Sequence, residues 1–450
     1  MKFKTRITVG FILLIALNSC EKRQEIAKVM YSDLQTQLTN YSVEDEFIYS
    51  CENFVKFFQK IDSITTRNKY IWNKNIYGPI LLIDHKNGKY YANTNPDEEM
   101  FTKEYTCYEG VLPKDQRISG NTTVKWKNKV WATVNLPLSD IPGFDVNTPT
   151  HELTHVLLGS RGHSVGIQNT SHLTTANGRV LMRLELELLK KFIQNDGNDI
   201  QLLKDALSIR QIRHQEFPDY KANENNLEHN EGLANYSGTI MSNFTKAKIK
   251  SFFTMRIDNV VKSVIYGRDF AYLPMTIYGM KLRESDSLWT QKITPNTDLT
   301  DFLVKAFEVG EPPKDLKYYI SKYSFADIFK QEKKTVKKLQ KSVDSIVRIF
   351  VKSPHLKVKF EQPQMSTSPE DFVLNDIGRH FSFIKVTDIW GELDATKGIV
   401  ISPDFRTGYL RIPKDYATNN VVGEGYTLSL KDKYRIVKES DSVYVLKKDY

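Results

Sequence analysis

The sequence predicts an α+β protein with three successive parts: a small N-terminal sheet, a central helical domain and a small all-β C-terminal domain. Two changes of hydrophobic period support this order. Strand-like runs lie between residues 78 and 137, helical spacing dominates residues 146–352, and strand-like runs return after residue 376. The predicted boundaries are 1–20 for a cleaved signal peptide, 21–145 for an N-terminal α+β region, 146–352 for the helical domain, 353–376 for a linker and 377–450 for the β domain.

The first twenty residues have the pattern of a secretory signal. Three basic residues precede an apolar run of eleven residues, Ile7 to Leu17, which is too short to span a bilayer. The sequence Leu17-Asn18-Ser19-Cys20 follows and resembles the lipobox of bacterial lipoproteins. This resemblance implies that cleavage leaves Cys20 at the N-terminus and that its thiol carries lipid. We therefore expect a lipid-anchored protein of the bacterial cell envelope, exposed to the periplasm or the cell surface.

The composition is that of an ordinary globular protein, with 40% hydrophobic and 26% charged residues, which excludes wholesale disorder. The formal net charge is +9, and three of these charges belong to the predicted signal peptide. The remaining excess is small for this length and spread along the chain. A cluster of lysines on one predicted helix is better interpreted as a solvated face than as a nucleic-acid surface. We expect no nucleic-acid partner, and the sequence does not indicate an oligomeric state.

Two cysteines remain if Cys20 is lipidated, namely Cys51 and Cys107. In an exported protein they could form one disulfide or remain free thiols. Two cysteines are too few for a disulfide scaffold, and their spacing does not suggest a metal site.

The N-terminal region is predicted to be helical to about residue 75 and then to form a small sheet. Residues 80–83 form a short apolar run, and a turn at 86–89 leads to a second strand at 90–94. Two further strand-like runs, 122–126 and 131–137, flank a polar turn. The last strand leads directly into the helical domain, so an edge strand is expected beside the first helix there.

Helical patterns continue from residue 180 to 351, and the C-terminal region then alternates between short strands and turns. Within the apolar run 180–189, Arg183 and Glu185 could form a buried ion pair or an ordinary surface pair. The β region contains no catalytic constellation, and a packing or binding accessory is expected.

The first predicted helix of the central domain contains the sequence His151-Glu152-Leu153-Thr154-His155. Residues four apart lie on one face of a helix, so both imidazoles can point at one cation. Glu152 is placed to act on a metal-activated water instead of binding the metal. Pro149 or Thr150 is expected to begin this helix. A helix whose histidines merely pack or face solvent is the alternative.

A catalytic zinc ion usually has three protein ligands, so a third ligand is required. The metzincin pattern would place Gly and His where this chain has Leu158 and Arg161. The metzincin interpretation therefore fails on spacing, and His163 is a weak candidate ligand. His172 and His229 are isolated histidines, for which surface or structural roles are expected.

Glu231 is the preferred third ligand. It lies in Asn-Glu-Gly-Leu-Ala-Asn-Tyr, which resembles the second motif of gluzincin metallopeptidases. The resemblance implies a site with two His ligands and one Glu ligand, in which residue i+4, here Asn235, supports His151 through a hydrogen bond. In thermolysin-like members that position is a carboxylate, so Asn235 cannot add negative charge. Glu224 and Glu228 are alternative ligands.

The order of motifs also resembles a group of poorly characterised exported His-Glu-x-x-His proteins. No activity carries over from that group. The two metal motifs, with their resemblance to gluzincins, lead us to expect a zincin-like helical domain and a Zn²⁺-dependent hydrolase, most simply a peptidase acting on a peptide or protein substrate. Glu152 would act as general base. The oxyanion partner is sought among Tyr236, Tyr278, Tyr272 and Arg268, with the first two preferred. The alternative is a non-catalytic zinc-containing lipoprotein that serves as a binding or structural module.

Overall fold

The computed structural model describes residues 49–113, 118, 120–163, 168–313, 316–367, 370–374 and 377–448. The predicted signal peptide, Cys20 and the predicted helical stretch before residue 49 lie outside these residues. Cys51–Tyr450 forms one compact unit, within which the regions below are described as parts. Across the described residues, no helix combines the length and apolarity needed to cross a membrane.

The predicted fold class is confirmed: the chain is α+β, with a small N-terminal sheet, a central helical region and a C-terminal all-β region. The N-terminal region consists of one helix and five strands: α1 (Cys51–Arg67), β1 (Ile80–Asp84), β2 (Lys89–Ala92), β3 (Tyr108–Val111), β4 (Thr122–Trp126) and β5 (Lys129–Asn135).

The N-terminal sheet has the strand order β3-β2-β1-β5-β4. Strands β1 and β5 pair in parallel, and the other neighbours are antiparallel, which leaves β4 at one edge. Helix α1 covers the sheet. The ring of Phe54 in this helix packs on the ring of Tyr91 in β2, with centroids 4.6 Å apart. The sequence analysis did not predict β3, because Tyr-Glu-Gly-Val lacks a clear apolar alternation.

The central region is built from ten helices among the described residues. They are α2 (Phe144–Ser160), α3 (Ala176–Gln194), α4 (Ile200–Glu216), α5 (Pro218–Leu227), α6 (Leu233–Met241), α7 (Lys246–Lys262), α8 (Pro274–Ser285), α9 (Leu299–Ala306), α10 (Lys317–Tyr323) and α11 (Ala326–Val347). A five-residue π-helical turn, Glu228–Gly232, connects α5 to α6. A 3₁₀ turn, Asp269–Tyr272, precedes α8.

Helix α2 begins five or six residues earlier than predicted, at Phe144 rather than at Pro149 or Thr150. Gly143 precedes it with φ of 90°, a left-handed conformation that glycine adopts without the steric cost of a Cβ. The Gly143 N–H donates to the Asp145 carboxylate at 3.1 Å, and Asp145 also pairs with Lys60 of α1. These local contacts explain the earlier start and attach the helix to the N-terminal region.

Helix α2 packs against α6 at unusually close range. A Cβ on Gly238 of α6 would lie 2.9 Å from the Asn147 carbonyl oxygen and 3.4 Å from the His151 Cβ. Glycine therefore permits the two backbones to approach at the level of the first histidine.

The C-terminal strands begin earlier than predicted. Residues 353–376, expected to be a linker, contain β6 (His355–Lys359), β7 (Gln364–Thr367) and β8 (Glu370–Val373). Nine later strands follow among the described residues: β9 (Arg379–Phe381), β10 (Ile384–Asp388), β11 (Gly391–Ala395), β12 (Ile399–Ile401), β13 (Thr407–Arg411), β14 (Asn420–Gly423), β15 (Tyr426–Leu430), β16 (Tyr434–Lys438) and β17 (Val443–Lys448). Strand β6 pairs with β13 and β17, β7 with β10, and β8 with β9. The segment expected to be a linker therefore contributes strands to both C-terminal sheets, because its short strands pair with distant partners that no local pattern reveals.

These strands form a five-stranded sheet, β14-β15-β11-β10-β7, and a seven-stranded sheet, β16-β17-β6-β13-β12-β9-β8. One core, which includes Leu356 and Leu410 from the larger sheet and Val386 and Leu428 from the smaller, lies between them. The region is therefore built as two sheets around a shared apolar core, as expected for an accessory β region.

A disulfide joins Cys51, the first residue of α1, to Cys107, which directly precedes β3. Its formation decides between the two alternatives that the sequence left open. The bond ties the covering helix to an edge strand of the sheet.

We expect the double variant Cys51→Ser/Cys107→Ser to be less stable than the oxidised protein. The bond closes a loop with a sequence separation of 56, and the loss of this constraint on the unfolded chain corresponds to about 4 kcal/mol in the chain-entropy model. Urea unfolding of both proteins, with and without reductant, measures the difference. Reductant should affect only the wild type, and equal unfolding free energies would contradict the prediction.

Candidate metal centre

Helix α2 presents His151 and His155 on the same face, as the four-residue spacing predicts. Their Nε2 atoms lie 2.9 Å apart and their ring centroids 4.6 Å apart. Both imidazoles are largely buried. The two nitrogen atoms thus converge on one small region.

Glu231 lies in the π-helical turn between α5 and α6. Its Oε2 atom is 3.6 Å from the Nε2 atom of His151 and 3.6 Å from that of His155. Ligand atoms of a tetrahedral zinc with bond lengths near 2 Å lie about 3.3 Å from one another. The three residues therefore form a group that could hold a metal ion.

The π-helical turn supplies the local geometry that brings Glu231 to the histidines. π-Helical turns are rare, and they occur frequently at functional sites because one extra residue per turn reorients the following side chains. Gly232 in this turn lies against α8, where an added Cβ would come within 2.6 Å of the Met275 Cβ. The packing of this turn therefore constrains the backbone directly beside Glu231.

Glu152 follows His151 and is 4% exposed. Its Oε2 atom is buried and, within the described part of the chain, has no hydrogen-bond partner. A buried carboxylate oxygen without a donor is costly unless a ligand or water supplies one. The set of two imidazoles, one carboxylate and a second unsatisfied carboxylate fits a metal ion with an open coordination position.

The histidines are held in the form that binds metals. Burial lowers the pKa of His151 to about 3, and the positive charges of Arg256 and Arg268 act in the same direction. Burial also lowers the pKa of His155, although the nearby Glu152 opposes this shift. Both imidazoles are therefore neutral at pH 7 and can present a lone pair to a cation.

Arg268 and Tyr272 complete the immediate surroundings. Arg268 donates from Nη2 to Oε1 of Glu231, which leaves Oε2 of the same carboxylate beside the histidines. The Tyr272 ring stacks on His151, with centroids 5.8 Å apart and an interplanar angle of 14°. Burial raises the pKa of Tyr272 to about 12, so its hydroxyl is protonated and can donate a hydrogen bond at pH 7.

The two preferred catalytic tyrosines, Tyr236 and Tyr278, have other partners. The Tyr236 hydroxyl accepts a hydrogen bond from Trp289 Nε1 at 3.1 Å, and the Tyr278 hydroxyl donates to Glu185 at 3.0 Å. Both side chains are almost fully buried in these contacts. In the described part of the chain neither hydroxyl bonds to the two histidines or to Glu231, so these contacts give no support to their prediction as oxyanion partners.

Asn235 supports the site differently from the prediction. Its Nδ2 donates to the Tyr272 carbonyl at 2.7 Å and to the Thr276 hydroxyl at 2.8 Å. Among the described residues it makes no hydrogen bond to His151. Asn235 instead holds the backbone of the tyrosine that stacks on His151, so it acts on that histidine only indirectly.

The alternative ligands Glu224 and Glu228 belong to a buried ion network behind the site. Arg210 donates to both oxygens of Glu228 at 2.7 Å and to Glu185 at 2.8 Å. Arg213 bridges Glu185 and Glu224, each at 2.8 Å. These carboxylates are occupied by guanidinium groups and do not contact the histidine pair.

The predicted pairing of Arg183 with Glu185 is wrong. Arg183 binds Glu332 of α11 at 2.8 Å, whereas Glu185 faces the two arginines of α4. Burial alone would raise the pKa of Glu185, but the attraction of these arginines lowers it below its usual value. Glu185 is thus a buried anion within the helical core.

The remaining histidines have structural contacts. His163 Nδ1 lies 3.0 Å from His229 Nδ1, and His229 Nε2 donates to the Thr297 carbonyl at 2.7 Å. His172 is buried and contacts Glu224 at 2.6 Å. His163 is therefore not a ligand beside His151 and His155, in agreement with the spacing argument against a metzincin site.

Arg256 is a site residue that the sequence analysis missed. It lies on α7, more than 100 residues after the His-Glu-x-x-His motif, and its guanidinium is 5.9 Å from the Tyr272 ring centroid. No local signal in the sequence distinguishes it from other basic residues of that helix.

Comparisons of the chain with protein-family models, with curated proteins and with solved structures find no significant match.

We expect His163→Gln to reduce the loss of stability at acidic pH. Burial, together with His229 and Arg161, lowers the pKa of His163 from 6.5 to about 4. Between these values the unfolded chain binds a proton that the folded chain does not, so the free energy of unfolding falls as pH falls from 6.5 to 4. The wild type should lose on the order of 1–2 kcal/mol more than the variant.

Urea unfolding of chelator-treated protein at pH 7 and pH 4.5 measures this difference without a contribution from metal release. A lower stability of the variant at both pH values would reflect lost packing alone. Parallel pH profiles for the two proteins would contradict the prediction.

Proposed function

We propose that this protein is a zinc-dependent peptidase of the gluzincin type, anchored through Cys20 in the bacterial cell envelope. The observation that carries the proposal is the convergence of His151, His155 and Glu231 beside the unsatisfied Glu152 carboxylate. Two neutral imidazoles and one carboxylate are the ligand set of catalytic zinc in several peptidases. A purely structural zinc site usually has four protein ligands, and three are found here.

When bound, zinc would act as a Lewis acid towards a carbonyl and lower the pKa of a water molecule. Glu152 would take a proton from the attacking water and deliver it to the leaving amine. Its burial next to His151 and its lack of a hydrogen-bond donor suit this task.

Tyr272 and Arg268 replace Tyr236 and Tyr278 as the proposed oxyanion partners. Tyr272 provides a protonated phenol beside His151, and Arg268 provides a permanent positive charge on Glu231. Hydrogen-bond donors held in place before the reaction stabilise the charge that develops on the carbonyl oxygen.

The position of β4 supports a peptide as the substrate. This strand pairs with β5 on one side, and among the described residues no strand pairs with its other side. Helix α2 packs against both strands. An extended peptide could therefore add to the free edge of β4 with its backbone directed along the metal site.

The disulfide supports an extracytoplasmic location, because such bonds form and persist in oxidising compartments. The lipid anchor rests on the sequence around Cys20. Mass spectrometry of the protein purified from bacterial membranes tests for lipid on this residue.

We expect Glu152→Gln to retain zinc and to lose at least about a hundredfold in kcat, because the amide cannot accept the proton from water. Zinc content by elemental analysis and digestion of a peptide library, each with and without chelator, provide the two measurements. Glu109→Gln changes an exposed carboxylate on β3 and serves as the matched control.

Two outcomes oppose the proposal in different ways. Full activity of the Glu152→Gln variant would exclude this mechanism. A wild-type protein that binds about one zinc per chain but cleaves no peptide would favour the alternative of a non-catalytic binding or structural module.

A comparison of two tyrosine variants tests the reassigned roles. Tyr272→Phe should reduce kcat by about a hundredfold, because it removes a donor to the developing oxyanion. Tyr278→Phe should leave kcat within a few-fold of wild type and lower the free energy of unfolding by about 1–3 kcal/mol, because Glu185 loses a hydrogen bond. Kinetics and urea unfolding of both variants distinguish the roles, and the reverse pattern would restore Tyr278 as the catalytic residue.

A further inference from the structure

Two arginines approach the metal centre from different elements. Arg256 projects from α7, and Arg268 directly precedes the 3₁₀ turn that carries Tyr272. Arg268 bonds Glu231. The Arg256 guanidinium lies 5.9 Å from the centroid of the Tyr272 ring, which stacks on His151. Two positive charges therefore lie on the Tyr272 side of the candidate centre.

Arg256 is half-buried and, among the described residues, forms no ion pair within 4 Å. Asp269 is the nearby anion: burial raises its pKa, and the charges of Arg256 and Arg268 oppose that shift. The Arg256 guanidinium carbon lies 5.7 Å from the Phe252 ring centroid and 5.9 Å from that of Tyr272. Within the described residues Arg256 also forms no side-chain hydrogen bond. The two aromatic rings stabilise the guanidinium charge only weakly through cation–π contacts, and the N–H groups of Arg256 remain free to bind an anion.

The arginine pairs elsewhere in the protein are different. Arg210 and Arg213 are buried and bind carboxylates directly, as Arg179 does with Glu332 at 2.6 Å. These three buried arginines are thus neutralised by carboxylates, whereas Arg161, which is only partly buried, bonds a backbone carbonyl. A half-buried arginine without a bonded carboxylate, beside a metal centre, points to a ligand that brings its own negative charge.

Arg268 can contribute to the same anion. It binds Oε1 of Glu231, yet its side chain is 47% exposed. A guanidinium has five N–H donors, so this contact leaves others available. Asp269 is adjacent in sequence, but among the described residues it forms no ion pair within 4 Å with either arginine.

We propose that Arg256, with Arg268, selects peptide substrates that carry a carboxylate next to the scissile bond. This inference rests on the proposed peptidase function and defines its substrate class. In a peptide the carboxylate has two sources: the side chain of Asp or Glu, and the C-terminus. Planar guanidinium groups recognise either carboxylate through paired, charge-assisted hydrogen bonds.

Arg256→Gln is the most informative variant, because Arg268 contacts a metal ligand and its loss would disturb the centre itself. Lys262→Gln is the matched control, since Lys262 is an exposed residue near the end of the same helix and its loss changes the net charge equally. Zinc content of both variants should equal that of wild type.

The first measurement is cleavage of a peptide library, made once with free C-termini and once with amidated C-termini. The best cleaved peptide is then resynthesised with Glu or Gln, and with Asp or Asn, at each flanking position. Wild type and Lys262→Gln should prefer the carboxylate by about tenfold to a hundredfold in kcat/KM. Arg256→Gln should lose most of this preference, so that its ratio of kcat/KM for the acidic and neutral peptides falls towards one.

The second measurement does not require turnover. Calorimetry with the zinc-loaded Glu152→Gln protein compares the Kd of the acidic and neutral peptides, and the double variant Arg256→Gln/Glu152→Gln repeats the comparison. We expect tighter binding of the acidic peptide only when Arg256 is present. The source of the carboxylate is identified by the substitution that weakens binding: Glu or Asp to the matching amide indicates a side chain, and amidation of the C-terminus indicates the terminal carboxylate.

These results separate the two proposals. Cleavage without preference for a carboxylate, or with a preference that persists in Arg256→Gln, overturns the substrate-class inference and leaves the peptidase intact. Binding that depends on Arg256 without any cleavage by the wild type supports the anion site and overturns the peptidase. Absence of both binding preference and cleavage rejects both.

Discussion

The arrangement of the metal centre depends on the close approach of α2 and α6. Gly238 lets the two backbones meet beside His151, where a larger residue would collide with the Asn147 carbonyl. The π-helical turn before α6 then directs Glu231 to the histidine pair. Because packing holds both elements, the two imidazole nitrogens and the Glu231 carboxylate oxygen converge in the folded chain itself.

Behind this contact, buried charges support the helices that carry the site. Arg210 holds both oxygens of Glu228, the first residue of the π-helical turn, and connects it to Glu185 on α3. Such a network is costly to desolvate and is stable only when every charge has partners. Glu228 and Glu185 are fully paired in this network, whereas one carboxylate oxygen of Glu152, the residue next to His151, has no hydrogen-bond partner in the described part of the chain.

Much of the site's local structure could be predicted from the sequence. Helical spacing placed His151 and His155 on one face. The spacing to His163 does not match the metzincin pattern, and His163 contacts His229 instead. Such predictions depend only on local spacing, because residues four apart lie on the same face of a helix. Short strands were harder: β3 and the strands within 353–376 were missed, because they pair with distant strands whose contribution no local pattern reveals.

By itself, the sequence determined the fold class, the two-histidine helix and the short set of acids and tyrosines from which the site is drawn. Only the tertiary structure placed Glu231, rather than Glu224 or Glu228, beside the histidines and stacked Tyr272 on His151. It also added Arg256, for which no motif exists. The reason is physical. Each of these choices depends on which buried partner, an arginine, a tryptophan or a histidine pair, lies opposite the side chain after helices far apart in sequence have packed together.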